Sequence, residues 1–268
     1  MAPANAIHIH HRIESAFTVT DLDTDTLDRA KAGSRPDVEA VINACFPPVH
    51  RVAHALTGDP KVAASVVKFV LRRGINVMPR WRTGIIPENW FLHQTVLIIR
   101  RVTAPVPPPD RDLLITAGPA TDPAYAAFVR TLRELHGQQA EAFILHHGEK
   151  LNTRLLGVAM DCSTQAAAGH LSAATDKLQM LVGERFDELT KAMGTAYMSL
   201  TPPETIIHGS ALSAVGKAIW LKRIGRMIRR LIWLAILAGA AYAVWRWHAV
   251  LLEWLQVIRE KAASATQP

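Results

Sequence analysis

Hydrophobic positions recur at helical spacing along almost the whole chain, most regularly between Leu132 and Leu178. Apolar residues three or four positions apart form the stripe that one face of a helix buries. In this segment the stripe has three successive parts, namely Leu135, Ala142, Phe143 and Leu145, then Leu151, Leu155, Leu156 and Ala159, then Ala167, Leu171, Ala174 and Leu178. No alternating strand pattern stands out, so the chain is predicted to be all-α.

Two short polar breaks separate these three parts. His146-His147-Gly148 ends the first helix, where the histidines complete a turn, and Asp161-Cys162-Ser163 makes a tight turn before the third helix. Ser163 is placed to cap that helix by accepting hydrogen bonds from its free N–H groups. Two helices joined by so short a turn predict a helix-turn-helix, in which the second helix can lie in the DNA major groove.

The N-terminal half carries two further helical stripes. The first runs from Val41 to Leu56 and contains Pro47-Pro48, which predicts a break or kink. Gly58-Asp59-Pro60 forms a turn, and Asp59 is expected to cap a second helix with Pro60 at its first position. The buried face of that helix is predicted from its apolar positions, Val62, Val66, Val67, Val70 and Leu71.

In this order and spacing, the segments resemble regions 2 and 4 of the extracytoplasmic-function sigma factors, the specificity subunits of bacterial RNA polymerase. The helix-turn-helix keeps the frame of region 4 at Phe143, His147-Gly148-Glu149, Leu151, Ser163, Leu171, Ala174 and Leu178. The turn at Gly58-Asp59 and the segment PENWFLHQTVLIIRR, with Trp90 and Arg100-Arg101, resemble region 2. Prolines between Pro105 and Pro109 lie where that family has an interdomain linker.

The expected fold is therefore all-α, with two small helical domains joined by a Pro-rich linker and followed by a C-terminal membrane helix. The predicted parts are a polar tail (1–34), a region 2-like domain (35–102), the linker (103–124), a region 4-like helix-turn-helix domain (125–200), a linker with a basic amphipathic helix (201–230), a transmembrane helix (231–252) and a tail (253–268).

The resemblance also implies which residues contact partners. In region 4 the promoter-contacting residues would be Ser163, Thr164, Gln165 and His170. In the region 2-like helix they would be Trp90, His93, Gln94, Arg100 and Arg101. The residues that bind core RNA polymerase would be Ser65, Lys68 and Phe69.

The chemistry of these faces departs from the family pattern. From Glu134 to Leu178 the basic residues are Lys150, Arg154 and Lys177, against five carboxylates. Because Lys and Arg supply most of the non-specific affinity for DNA, binding to a promoter is expected to be weak or assisted. A helix-turn-helix kept for packing or protein binding is the other interpretation. Trp81 and Trp90 could stack on unpaired bases, but the interpretation of both as core or interface residues is favoured.

The C-terminal part points to a membrane. No charged residue occurs from Leu231 to Trp245, and a span of 231–252 is long enough if Arg246 extends towards an interface. Trp233, Trp245 and Trp247 suit interfacial positions, and Arg229 and Arg230 end a cationic flank that predicts a cytoplasmic N-terminal side. A buried or interfacial hydrophobic helix is the alternative.

Charge and side-chain chemistry narrow the function further. The net charge of +7 is concentrated before the hydrophobic segment, which favours an anionic membrane surface over DNA. Cys45 and Cys162 are isolated, and His8, His10 and His11 lack the partners of a dedicated metal site. No nucleotide-binding, metalloprotease or nucleophile motif is present, so neither catalysis nor a cofactor is predicted.

The leading hypothesis is a membrane-tethered sigma-like factor at the cytoplasmic membrane, with its bulk on the cytoplasmic side. Its partners would be core RNA polymerase, promoter DNA, the membrane, and a release protease or regulatory protein acting between Pro202 and Ile219. The alternative is a sigma-derived scaffold that has lost DNA binding and serves as a membrane-anchored interaction module. A small DNA-binding protein with a C-terminal oligomerisation helix is a third hypothesis.

Overall fold

The computed structural model describes residues 22–102, 107–119 and 121–264, and these residues form helices and connecting turns with no strand. The all-α prediction is confirmed. The eleven α-helices of the described ranges are α1 (Thr24–Lys31), α2 (Arg35–Thr57), α3 (Pro60–Val77), α4 (Pro87–Ile99), α5 (Leu113–Ala117), α6 (Pro123–Glu134), α7 (Gly137–His147), α8 (Thr153–Met160), α9 (Thr164–Val182), α10 (Phe186–Ser199) and α11 (Glu204–Ser264).

Local capping chemistry fixes the helix ends that the sequence predicts. The side chain of Asp59 accepts hydrogen bonds from the backbone N–H groups of Lys61 (2.7 Å) and Val62 (2.9 Å) at the start of α3. Ser163 Oγ accepts from Ala166 N at 3.1 Å at the start of α9. Each cap satisfies N–H groups that have no partner inside the helix, so both predicted starts are confirmed.

Of the predicted break or kink at Pro47-Pro48, the break is wrong, because α2 runs without interruption from Arg35 to Thr57. Val41, Cys45 and Val49 are all fully buried on either side of the prolines. Their burial on one continuous face supplies the stabilisation that keeps the helix intact despite an intrinsic proline cost of roughly 3 kcal/mol.

A single apolar core joins the two segments that were predicted as separate domains. Val52 of α2 and Leu92 of α4 belong to the same buried cluster as Phe128 of α6 and Phe143 of α7. The chain divides elsewhere, into a first unit that ends at Gly216 and a second that begins at Lys217. Region 2-like and region 4-like segments therefore form one packed unit.

Two segments predicted as irregular contain helix. In the predicted tail, α1 begins after Asp23, whose carboxylate accepts from Thr26 N, and Ala30 is buried. In the described part of the predicted linker, Asp112 Oδ1 accepts from Leu114 N at 2.9 Å to start α5, and Leu114 is fully buried. Helices of eight and five residues with one buried residue each are too short to produce a periodic pattern, which explains both errors.

The second unit consists of the greater part of α11. Within it, Met227–Ile258 is a segment of 32 residues with a mean hydropathy of 1.6, long and apolar enough to cross a membrane by length and composition. The predicted span of 231–252 lies inside this segment. The separate linker, amphipathic helix and tail predicted on either side are parts of one continuous helix up to Ser264.

Candidate functional site

Helix α4 carries most of the residues predicted to contact a promoter in the region 2-like segment, and its surface is largely occupied by the rest of the unit. Gln94 is buried. The Nδ1 atom of His93 lies 3.1 Å from the backbone carbonyl oxygen of Val158 in α8. Trp90 packs against Trp81 and Phe91, with ring centroids 5.2 Å and 5.1 Å apart. The interpretation of Trp90 as a packing residue is the one that fits these contacts.

Arg100 follows α4 and is held by a carboxylate of α7. Its Nε atom donates to both carboxylate oxygens of Glu141 at 2.9 and 3.1 Å, and Nη2 donates to Oε2 at 2.5 Å. The hydrogen bonds to Glu141 raise the pKa of Arg100. These bonds engage Nε and one N–H of Nη2, so Glu141 fixes the position of the guanidinium group while its Nη1 donors take no part. Gln94 is thus buried and Arg100 is paired with Glu141, and a contact of either residue with DNA stays a prediction.

The region 4-like residues lie at the surface. Ser163, Thr164 and Gln165 are exposed and His170 is half-buried. Gly157 makes their turn possible, since a Cβ atom there would lie 2.9 Å from the carbonyl oxygen of Cys162. The turn between α8 and α9 is therefore tight, as a helix-turn-helix requires.

An open groove of about 690 Å³ brings the two predicted DNA-contacting sets together. Trp90 and His93 lie on one side of it, and Ser163 and Thr164 on the other. Arg154 and Asp161 also line the groove, so its charges are mixed. The groove offers hydrogen-bonding groups. The described residues contain no cluster of three His, Cys, Asp or Glu that could hold a metal ion.

Sequence reasoning missed an ionic junction centred on Arg51 of α2. The Arg51 side chain donates from Nε and Nη2 to the two carboxylate oxygens of Glu149, at 2.8 and 3.1 Å, and from Nη1 to Thr201 Oγ1 at 3.1 Å. The hydroxyl of Tyr197 donates to Glu149 at 2.6 Å. His50 Nδ1 approaches the carbonyl oxygen of Leu200 at 3.0 Å. This junction joins α2, the α7–α8 turn and the residues that precede α11.

Burial decides the electrostatics of that junction. The side chains of Arg51 and Glu149 are only 12% and 4% exposed. Burial lowers the pKa of Arg51, but the hydrogen bond and charge of Glu149 more than offset this and leave it raised. Burial also raises the pKa of Tyr197 and lowers that of His50 to about 4. Arg51 therefore stays charged and His50 stays neutral at neutral pH.

The residues predicted to bind polymerase lie on an exposed face of α3. Ser65 and Lys68 are exposed, and the Phe69 side chain is 55% exposed. Arg101, which was predicted to contact DNA, lines the same shallow groove as Ser65 and Phe69. Arg101, which lies beyond the end of α4, is thus placed with the α3 face.

Charge on the α3 face is of one sign, a feature that reading single motifs missed. Residues 60–87, which begin just after the cap Asp59, contain six exposed cations and no carboxylate: Lys61, Lys68, Arg72 and Arg73 on α3, and Arg80 and Arg82 after its end. None of the six forms an ion pair with another described residue. A simple charge count over this window could have found the face.

The predicted membrane residues are all exposed on α11. These are Arg229, Arg230, Trp233, Trp245, Arg246 and Trp247. Tryptophan exposures of 61% to 71% are unusual for a helix surrounded by water, and they suit a helix surrounded by lipid.

Compared with known proteins, the chain matches no protein-family model and no curated protein. The resemblance to sigma factors therefore remains a prediction from the residues of this chain.

Proposed function

We propose that the chain is a membrane-anchored protein-interaction module built on a sigma-like helical unit, without enzymatic activity. One observation carries this choice over promoter recognition. Among the residues predicted to contact the promoter, Gln94 is buried, His93 meets a carbonyl group of α8 and Arg100 is paired with Glu141, whereas the cationic α3 face is exposed. The exposed α3 face is therefore the surface that a partner protein can reach.

The anchor in this proposal is the apolar segment of α11. Met227–Ile258 would span the cytoplasmic membrane, and Arg229 and Arg230 at its start would keep the helical unit on the cytoplasmic side. Tethering restricts the unit to the membrane surface, where it would meet partners at a raised effective concentration.

The second candidate is the sigma factor itself, in a closed state. It is favoured by the exposure of Thr164 and Gln165 at the start of α9, the position from which a recognition helix contacts bases. In this candidate, core RNA polymerase would separate the two segments and expose α4. A protease cutting between Pro202 and Ile219, or a regulatory protein, would release the unit from the membrane.

The two candidates differ in a direct binding experiment. The full chain in detergent is mixed with bacterial core RNA polymerase and passed over a size-exclusion column, and the complex is tested for retention of a genomic promoter library. The interaction module predicts no promoter enrichment above that of core polymerase alone. Enrichment of a defined promoter motif would replace it with the sigma factor.

A matched variant makes the result specific. Thr164→Ala and Gln165→Ala change the two exposed residues at the start of α9 without touching the cap at Ser163. If the motif enrichment is real readout by α9, the double variant loses it. If enrichment persists, it comes from polymerase and the interaction module stands.

A further inference from the structure

The cations of α3 are arranged in a line. Lys61, Lys68 and Arg72 are separated by seven and four residues, so they share one side of the helix, and all are exposed. At a rise of 1.5 Å per residue the line is roughly 16 Å long. Arg73 lies one residue beyond it. The face therefore presents a row of positive charge of about three helical turns.

Elsewhere in the unit, arginines at interfaces are neutralised by carboxylates. Arg51, Arg100 and Arg133 each form a close ion pair with a buried carboxylate. The α3 row has no such partner among the described residues, and residues 60–87 supply none. Concentrated charge of one sign raises the local concentration of oppositely charged partners and accelerates their association.

An apolar groove of about 560 Å³ runs beside the row, between α3 and the end of α4. Val62, Val66 and Phe69 line one side, and Ile98 and Val102 the other. Phe69 and Val102 are 55% and 39% exposed. Lys61 and Arg101 also line this groove, so apolar surface and positive charge occur together in one concave site.

We infer that this groove binds an amphipathic helix of a partner protein, with apolar residues on one face and carboxylates beside them. Apolar side chains at positions i, i+3 or i+4, and i+7 would enter the groove against Phe69, as in other helix-in-groove complexes. The carboxylates would face the Lys61–Arg72 row and Arg101. The inference rests on the proposed function, because it names the partner of an interaction module.

The shape of the site separates this partner from other polyanions. The phosphates of a nucleic-acid backbone would pair with the cations but have no use for the aliphatic residues of the groove. A lipid leaflet is covered by convex faces with protruding apolar side chains, whereas the apolar residues here line a concavity. An acidic amphipathic helix uses both the charge and the groove.

The test uses the full chain in nanodiscs of neutral phosphatidylcholine. The probe is a fluorescein-labelled synthetic 18-residue peptide with leucines on one helical face and glutamate and alanine on the other. Its partner peptide has lysine in place of every glutamate. Fluorescence anisotropy is expected to show binding of the acidic peptide in the micromolar range, weakening with salt, and no binding of the basic peptide.

Variants locate the binding. Lys68→Glu combined with Arg72→Glu should weaken the affinity for the acidic peptide by about tenfold or more, because two attractive charges become repulsive ones. Phe69→Ala should weaken it severalfold without changing the charge. Arg130→Glu with Lys191→Glu makes the same charge change at exposed positions of α6 and α10 and should leave the affinity within about twofold.

Each other outcome overturns the inference. These outcomes are no binding of the acidic peptide at millimolar concentration, equal binding of the basic peptide, or equal weakening by both double variants. Loss of peptide binding when anionic lipid is added to the discs would assign the face to the leaflet. If a promoter is enriched and the acidic peptide binds, the proposed function is rejected and the binding groove is retained. If no promoter is enriched and the peptide does not bind, the proposed function is retained and the binding groove is rejected.

Discussion

Helices α3 and α4 are neighbours in sequence and pack on the same helix α2, yet the polar residues of α3 are exposed and those at α4 are buried or paired. On α3 the cations remain exposed and have no carboxylate partner among the described residues. At α4, Gln94 is buried, His93 meets a carbonyl group of α8 and Arg100 is bound by Glu141. The difference lies in the surroundings, because the region 4-like helices cover α4 and leave α3 uncovered.

This contrast changes what a polar residue on a helix indicates. A polar face that is predicted to bind an external partner can instead hold the protein together, when a complementary group occurs elsewhere in the chain. Arg100 and Glu141 are 41 residues apart, and Arg51 and Glu149 are 98 apart. An absence of complementary groups is therefore the better sign of a binding surface, and α3 meets that condition within the described residues.

The contrast between α3 and α4 requires that the internal ion pairs stabilise the fold. It would be contradicted if removing them hardly changed the free energy of unfolding. Glu149→Ala should have the largest effect, lowering the free energy of unfolding by about 3–5 kcal/mol, because it leaves the buried Arg51 without its carboxylate. Pulse proteolysis of the full chain in detergent over a urea series measures this free energy.

Glu188→Ala is the matched control for that experiment. It removes the partner of Arg185 in an exposed pair, whose side chains are 44% and 66% exposed, and should cost below about 1 kcal/mol. If the two variants lose the same small amount of stability, the junction at Arg51 does not hold the unit together.

A smaller loss of stability is expected when the ion pair between Arg100 and Glu141, at the end of α4, is weakened. Glu141→Gln keeps the shape of the side chain but removes its charge, and Arg100 is 27% exposed, so water partly replaces the lost partner. We expect a loss of about 1–3 kcal/mol, concentrated at the contact between α4 and the helix-turn-helix.

The two cysteines report where that loss occurs. Cys162 lies in the turn before α9 and is half-buried, whereas Cys45 is fully buried in α2. Alkylation of Cys162 should accelerate severalfold in Glu141→Gln while that of Cys45 stays unchanged. A parallel rise at both cysteines would indicate global unfolding rather than local opening, and would contradict the proposed role of this pair.

The sequence predicts local features of this fold better than its contacts. The stripes and caps of α3 and α9 follow from residues within one or two turns, and Asp59 and Ser163 cap as expected. The burial of Gln94 depends on what packs against α4, which no local pattern contains. The same applies to α2, whose prolines are tolerated because distant helices cover its apolar face.

The stability of the helical unit should also depend on pH, through two of its histidines. Burial, and secondarily the charge of a neighbouring histidine, lowers the pKa of His50 and of His147 from 6.5 to about 4. The unfolded chain therefore binds more protons than the folded chain between these values. Their contribution to stability is complete above about pH 6.5 and is lost as the pH falls towards 4.

Urea midpoints at pH 7 and pH 5 measure this loss. The midpoint should fall at pH 5, and His50→Gln should show a smaller fall because one depressed histidine is removed. Lys68→Glu, on the exposed α3 face, serves as the control and should keep the full pH dependence. An unchanged fall in His50→Gln would show that other groups determine the pH response.

The smallest expected change in stability distinguishes α3 from α4 most clearly. Lys68→Glu places a carboxylate four residues before Arg72, in the orientation that favours an i,i+4 ion pair. It also removes one charge from a repelling row, so it should raise the free energy of unfolding by about 0.3–0.5 kcal/mol. The same substitution should weaken binding of an acidic partner. A substitution that stabilises the fold while reducing binding indicates residues retained for a function rather than for folding. If Lys68→Glu instead destabilised the protein by more than about 1 kcal/mol, the α3 row would belong to the fold, and the contrast with α4 would disappear.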